Sequence, residues 1–271
     1  MKKLLVATAM TATLAGSAYA ADLPMKAAPM APAAVVTTNW TGCYVGAGGG
    51  YGMFDQRHRT YNAANVALTA GETDTGGKGW FGTVQVGCDY QFGERWVIGA
   101  FGDYDWSGLR GNLQPTGIVG AGGVGVWGEE RQKDTWAAGG RLGYVVVPRL
   151  LAYVSGGYTQ TRFEGVSFQN LVDNSATTLT LAPQTYRGWF LGTGYEYGLD
   201  LIPGLFWKTE YRYSSYRAEN PQLSTGLITT PLTAVVPGGF LGYENSRKDV
   251  QTIRSELVYR FNFGGPVVAR Y

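Results

Sequence analysis

Four sets of residues in this 271-residue chain could do chemistry: one histidine, two cysteines, clustered glycines, and charges recurring at alternate positions. His58 stands beside Asp55, Arg57 and Arg59 and could serve as the base of a hydrolytic triad. A triad needs a nucleophile, and no serine occurs between residues 18 and 106. A solvated histidine in a basic loop is the simpler reading, so no catalytic residue is assigned and an enzyme is not expected. One histidine and two cysteines are a poor donor set for a metal, and no metal or cofactor is expected. Gly48-Gly49-Gly50 lacks the Lys-Ser/Thr and the following helix of a phosphate loop.

The charges pose a different chemistry. Asp89, Asp103, Asp105, Arg141, Glu196, Lys208, Glu210, Arg212, Arg254, Glu256 and Arg260 each alternate with apolar or aromatic neighbours. A period of two belongs to a β-strand, whose successive side chains face opposite ways. Five of these residues are basic and six acidic. Gathered inside a narrow closed sheet they must pair, because an unpaired buried charge is costly. Mutual neutralisation is the chemistry to expect of them.

Eight segments must position them, at about 40–53, 80–92, 95–106, 134–147, 149–162, 186–199, 205–217 and 249–263. Their other parity is uncharged, as in Trp80, Val84, Val86, Cys88 and Tyr90, or Ile253, Leu257, Tyr259 and Phe261. Arg187 and Asp249 break the rule, both at expected strand ends. An apolar face rimmed by Trp and Tyr, backed by a compact mixed-charge face, fits a barrel that is greasy outside and polar within. Strand length agrees, since a tilted membrane strand needs about 9–11 residues. Closure leaves no backbone group unpaired in hydrocarbon. The competing fold is a secreted soluble β-sandwich, which would normally expose many Lys and Glu.

Short and long links alternate. Gly93-Glu94, Val147-Pro148 and Asp200 to Gly204 are short, while the other links run to roughly two or three dozen residues. One long link is Gly-rich, from Gly117 to Gly128. Short periplasmic turns and four long extracellular loops give this rhythm.

Composition narrows the classes. The 22 Lys plus Arg nearly balance the 20 Asp plus Glu, which gives no sign of a nucleic-acid partner. Aromatics at 14% argue against disorder. No uncharged apolar run of 18 residues follows residue 20, which excludes a helical membrane protein. Residues 1–20 read as a cleaved signal peptide: Met1-Lys2-Lys3, an apolar run, then Ala18-Tyr19-Ala20. Cleavage would remove Lys2 and Lys3 and no acid, leaving 20 basic against the 20 acidic side chains. Residues 21–39 read as an Ala/Pro-rich periplasmic tail, 40–263 as the barrel, and 264–271 as a short C-terminal tail.

The stretch Asn39-Trp40-Thr41-Gly42-Cys43-Tyr44-Val45-Gly46 resembles the first strand of rhizobial and brucella-type small outer-membrane β-barrel proteins. Further matches are Gly102-Asp103-Tyr104-Asp105-Trp106, Arg141-Leu142-Gly143-Tyr144, Gly192-Thr193-Gly194-Tyr195-Glu196-Tyr197, Glu210-Tyr211-Arg212-Tyr213 and Val258-Tyr259-Arg260-Phe261. The resemblance covers most of the chain in order. It implies a closed eight-stranded antiparallel up-and-down transmembrane β-barrel, like the transmembrane domain of outer-membrane protein A. It implies a location in the Gram-negative outer membrane, a structural role, and no catalytic residue or cofactor to carry over. Two departures stand out: Cys43 and Cys88 replace residues usually aromatic in the family, and the chain continues past the last strand as Gly264-Gly265-Pro266.

The two cysteines fall on one face of neighbouring strands in an exported, oxidising setting. A disulfide Cys43–Cys88 is expected, the alternative being two lipid-facing thiols; direct opposition would also set Tyr51 against Trp80. The functional expectation is a structural envelope protein with a lumen plugged by salt bridges, and the alternative is a narrow porin-like diffusion channel. Expected partners are outer-membrane lipid and lipopolysaccharide, the outer-membrane assembly machinery, and host or phage surface ligands met by the loops.

Overall fold

The computed structural model describes residues 38–62, 73–114, 125–217, 222–225 and 240–261. The expected signal peptide, tail residues 21–37 and the C-terminal segment from 262 lie outside the described residues. The strands are β1 (Gly42–Asn62), β2 (Thr73–Phe92), β3 (Trp96–Ser107), β4 (Arg110–Leu113), β5 (Val126–Val147), β6 (Leu150–Phe163), β7 (Val166–Asn170), β8 (Ala176–Leu181), β9 (Gln184–Gly198), β10 (Leu205–Arg217), β11 (Gln222–Thr225) and β12 (Phe240–Phe261).

Eight strands pair successively and antiparallel in the order β1, β2, β3, β5, β6, β9, β10 and β12, and β12 pairs with β1. The pairing is therefore a ring. The turns at one end are tight. Gly93, in the left-handed region at φ 63°, turns β2 into β3, and Gly204, at φ 86°, leads into β10. Glycine occupies this backbone region without the Cβ clash other residues meet.

Over the middle of the strands the face turned out of the ring is apolar. Val84 is 38%, Leu257 48% and Trp207 42% exposed, whereas Arg212 and Glu256 on the opposite parity are 2% and 1% exposed. Aromatic residues bound this belt at two levels. Trp96 against Tyr144 marks the turn end, and Tyr51 against Trp80 and Trp136 against Tyr158 mark the other. From Trp136 to Tyr144 along β5 is eight residues, which in a strand tilted as membrane strands are rises about 20 Å.

The strands run beyond the expected segments. β1 reaches Asn62, β2 starts at Thr73, β5 at Val126 and β12 at Phe240. Much of what reads as long loop in the sequence is thus paired strand, and His58, expected in a loop, is a β1 residue opposite Ser246. The reason is visible in β5, where buried Glu130 and Gln132 alternate with exposed Glu129 and Arg131. Both faces there are polar, so apolar alternation disappears while backbone pairing continues. Asp249 likewise lies inside β12 and not at its end.

Short strands β4, β7 and β8 join this upper region. Leu113, Val126, Val166, Phe168, Leu179 and Leu181 form a small apolar cluster of their own. The β7–β8 turn places Asn174 at φ 53°. The Ser175 amide donates to Asp173 at 3.0 Å and its hydroxyl at 2.7 Å. These donors hold the Asp173 carboxyl below its ordinary pKa.

Candidate functional site

All eleven charged residues singled out in the sequence point into the ring and are at most 6% exposed. They sort into two groups along the axis. Nearest the turns, Arg141 and Arg260 share Asp89 and Glu196. Arg141 Nε donates to Asp89 Oδ1 at 2.8 Å and its Nη1 to Glu196 Oε1 at 2.5 Å. Arg260 donates to Asp89 at 2.7 Å and to Glu196 Oε2 at 2.5 Å. Two cations and two carboxylates thus neutralise one another, each bonded to both opposite partners.

The second group is larger. Arg212 forks onto Asp103 at 3.1 and 2.8 Å and reaches Glu210 at 2.8 Å. Lys208 donates to Gln85 at 2.6 Å and to Glu256 at 3.3 Å. Arg254 meets Asp105 at 2.9 Å and Asp103 at 3.6 Å. Three cations here face four carboxylates, a formal excess of one negative charge.

The inward face carries more than the charges singled out in the sequence. Trp40 and Phe206 pack at 4.9 Å beneath the first group, and the Arg260 guanidinium lies 4.8 Å from the Trp40 ring. Arg141 lies between Tyr44 at 4.6 Å and Tyr153 at 5.2 Å. Arg212 stacks on Phe190 at 4.2 Å. Ring faces offer each cation negative electrostatic potential where no further carboxylate fits.

Sequence reading missed a third charged set. Lys248 donates to Gln56 and, at 2.6 Å, to Glu130, and lies 4.1 Å from the Phe163 ring. Lys248 shares the parity of Arg254, so extending β12 upward would have found it. Glu130 is harder to find. A register shift between Gln132 and Asp134 exchanges the inward and outward parities of β5, so Glu130 and Arg141 differ in parity yet both point in. Between this set and the second group lies a small cavity of about 20 Å³, lined partly by Asp105, Ser107, Thr252 and Arg254. That is room for about one water.

On the outward face, Cys43 and Cys88 are directly opposed in β1 and β2 and joined by a disulfide. Their Cα atoms are 3.9 Å apart, closer than the usual span of roughly 4.4–6.8 Å. Tyr51 is opposite Trp80, with ring centroids 5.0 Å apart.

The chain matches the family model described as outer membrane protein beta-barrel domain over residues 8–261. It is 32% identical over 267 residues to the 31 kDa outer-membrane immunogenic protein of Brucella melitensis, covering 96% of this chain and all of that one, and equally to its Brucella suis counterpart. Among solved structures it is similar to the outer membrane protein OprG of Pseudomonas aeruginosa at 11% identity and a TM-score of 0.46, over 84% of this chain and 99% of that one. The outer membrane protease OmpT of Escherichia coli aligns at 11% identity and a TM-score of 0.41, over 81% of this chain and 97% of that one.

Proposed function

Because the chain belongs to the outer membrane protein β-barrel domain family and resides in the outer membrane, we propose that residues 40–263 close into an eight-stranded transmembrane barrel that serves the envelope structurally, its lumen plugged by ion pairs. The tight turns face the periplasm and the extended strands the exterior. The observation that carries the reading is the four-way pairing of Arg141 and Arg260 with Asp89 and Glu196, floored by Trp40 and Phe206. An eight-stranded barrel is just wide enough for side chains to fill, and a permeating ion would have to part these pairs in a medium where isolated charges are costly.

No catalytic role is assigned to the interior charges, since each is bonded to an opposite charge and the cavity beside Asp105, Arg212 and Arg254 has room for about one water. The signal peptide at 1–20 delivers the chain to the periplasm, and the assembly machinery and surface ligands of host or phage are its proposed protein partners. Planar-bilayer recording on the purified protein tests the plug. Baseline-level current supports it, and large stable unitary currents, or swelling of proteoliposomes in small sugars, would favour the narrow diffusion channel instead.

A further inference from the structure

Four arginines stand side by side on the outward face beyond the upper aromatic girdle. Register pairs Arg187 in β9 with Arg217 in β10, Arg217 with Arg247 in β12, and Arg247 with Arg57 in β1. All four are exposed. Three interstrand steps of about 4.8 Å make this a row roughly 14 Å long. Like charges directly opposed on one face repel, and backbone pairing prevents the strands from separating them.

The row is only partly neutralised from within. Arg247 lies 3.6 Å from Asp249 and donates to Ser215 at 3.4 Å. Asp74 is opposite Arg57, and Asp55 is opposite Asp249. Arg57, Arg187 and Arg217 have no carboxylate within 4 Å among the described residues. Such a row lacks only anions that can bridge neighbouring guanidiniums, and phosphate accepts the planar arginine fork in this way.

Position identifies the source. Arg187 is two residues beyond the girdle residue Trp189, while Arg57 is six beyond Tyr51. The row therefore starts at headgroup level and climbs away from the hydrocarbon along the barrel surface, as a tilted strand register must. Resting on the outer-membrane reading above, we propose that Arg187, Arg217, Arg247 and Arg57 form a binding site for the phosphate groups of lipopolysaccharide in the outer leaflet, seated on the β9–β10–β12–β1 face. The acyl chains would lie against the apolar belt directly below.

The test uses purified full-length protein in detergent and three probes: bisphosphorylated lipid A, the same lipid with both phosphates removed, and inorganic phosphate. Wild type is expected to retain bisphosphorylated lipid A at least tenfold better than the dephosphorylated form. The pair Arg187→Gln with Arg217→Gln should lose at least tenfold of that retention, and Arg187→Lys with Arg217→Lys should recover part of it. Equal retention of both lipids by wild type overturns the proposal whether or not the variants fold. Unchanged retention by the folded glutamine pair, or displacement of lipid A by millimolar inorganic phosphate, also overturns it. Failure of the barrel reading looks different: wild type would lack heat-modifiable gel mobility and would not fractionate with the outer membrane.

Discussion

The guanidinium of Arg141 meets the carboxylate of Glu196 at 2.5 Å inside the ring, although 55 residues separate them in the chain. β5 and β9 are not neighbours, since β6 pairs with both. The contact therefore forms only when the sheet has curled. Breaking a buried pair from one side strands the other charge and costs about 3–5 kcal/mol. Arg141→Met should lower stability by that amount in urea unfolding from lipid vesicles, and so should Glu196→Gln. The double variant should lose clearly less than the sum; strict additivity would show that the pair is not coupled.

The second group, with its surplus carboxylate, should respond asymmetrically. Asp105→Asn leaves three cations facing three carboxylates, so its expected cost is under about 1 kcal/mol, within the range of a replaced neutral hydrogen bond. Arg254→Gln widens the imbalance, removing the cation bonded to Asp105 and the more distant of the two beside Asp103. Its expected cost is about 3 kcal/mol or more. The same unfolding assay decides, and equal costs for the two would contradict the charge tally.

Gly99 makes the first group possible. A Cβ built there would lie 1.9 Å from Asp89 Oδ1. Gly99→Ala therefore must push the Asp89 carboxylate off Arg141 and Arg260 while leaving every charge present. A loss of about 2–4 kcal/mol is expected, the cost of a misplaced buried charge. Normal stability in the alanine variant would mean that Asp89 can be repositioned freely.

The belt portion of every ring strand was legible in the sequence because lipid on one side and a packed interior on the other force a period of two. β10 runs from Leu205 to Arg217, as the alternation implies. Beyond the belt, water wets the outer face and the rule lapses, which is why the upper halves of β1, β5 and β12 read as loop. The charged half of the interior was legible for the same reason. Its aromatic half lies on the same parity, Phe101 with Asp103 and Phe190 with Glu196, and went unread because only the charges on that face were followed. Glu130 was hidden by the register shift in β5.

The Cys43–Cys88 bridge closes a segment with a sequence separation of 45. Restricting the unfolded chain over such a loop is worth up to about 4 kcal/mol in the loop-closure model. Non-reducing mass spectrometry should find no free thiol. Replacing both cysteines by alanine should preserve heat-modifiable mobility while lowering stability by about 2–4 kcal/mol. Two alkylatable thiols in the native protein would remove this contribution altogether.

Phe168 is 1% exposed among Leu113, Val126, Val166, Leu179 and Leu181, and this cluster shares no residue with the cores inside the ring. Its stability should therefore be local, because elements joined by few buried contacts open independently of the rest. Phe168→Ala removes a buried aromatic from a set of only six residues, at an expected cost of about 3 kcal/mol to that unit. Proteolysis of intact cells should then cleave within β7–β8 far faster than in wild type. Heat-modifiable mobility and urea unfolding of the remainder should be unchanged. Co-operative loss of both would instead make the β7–β8 cluster an integral part of the ring, with the upper strand extensions as the coupling between them.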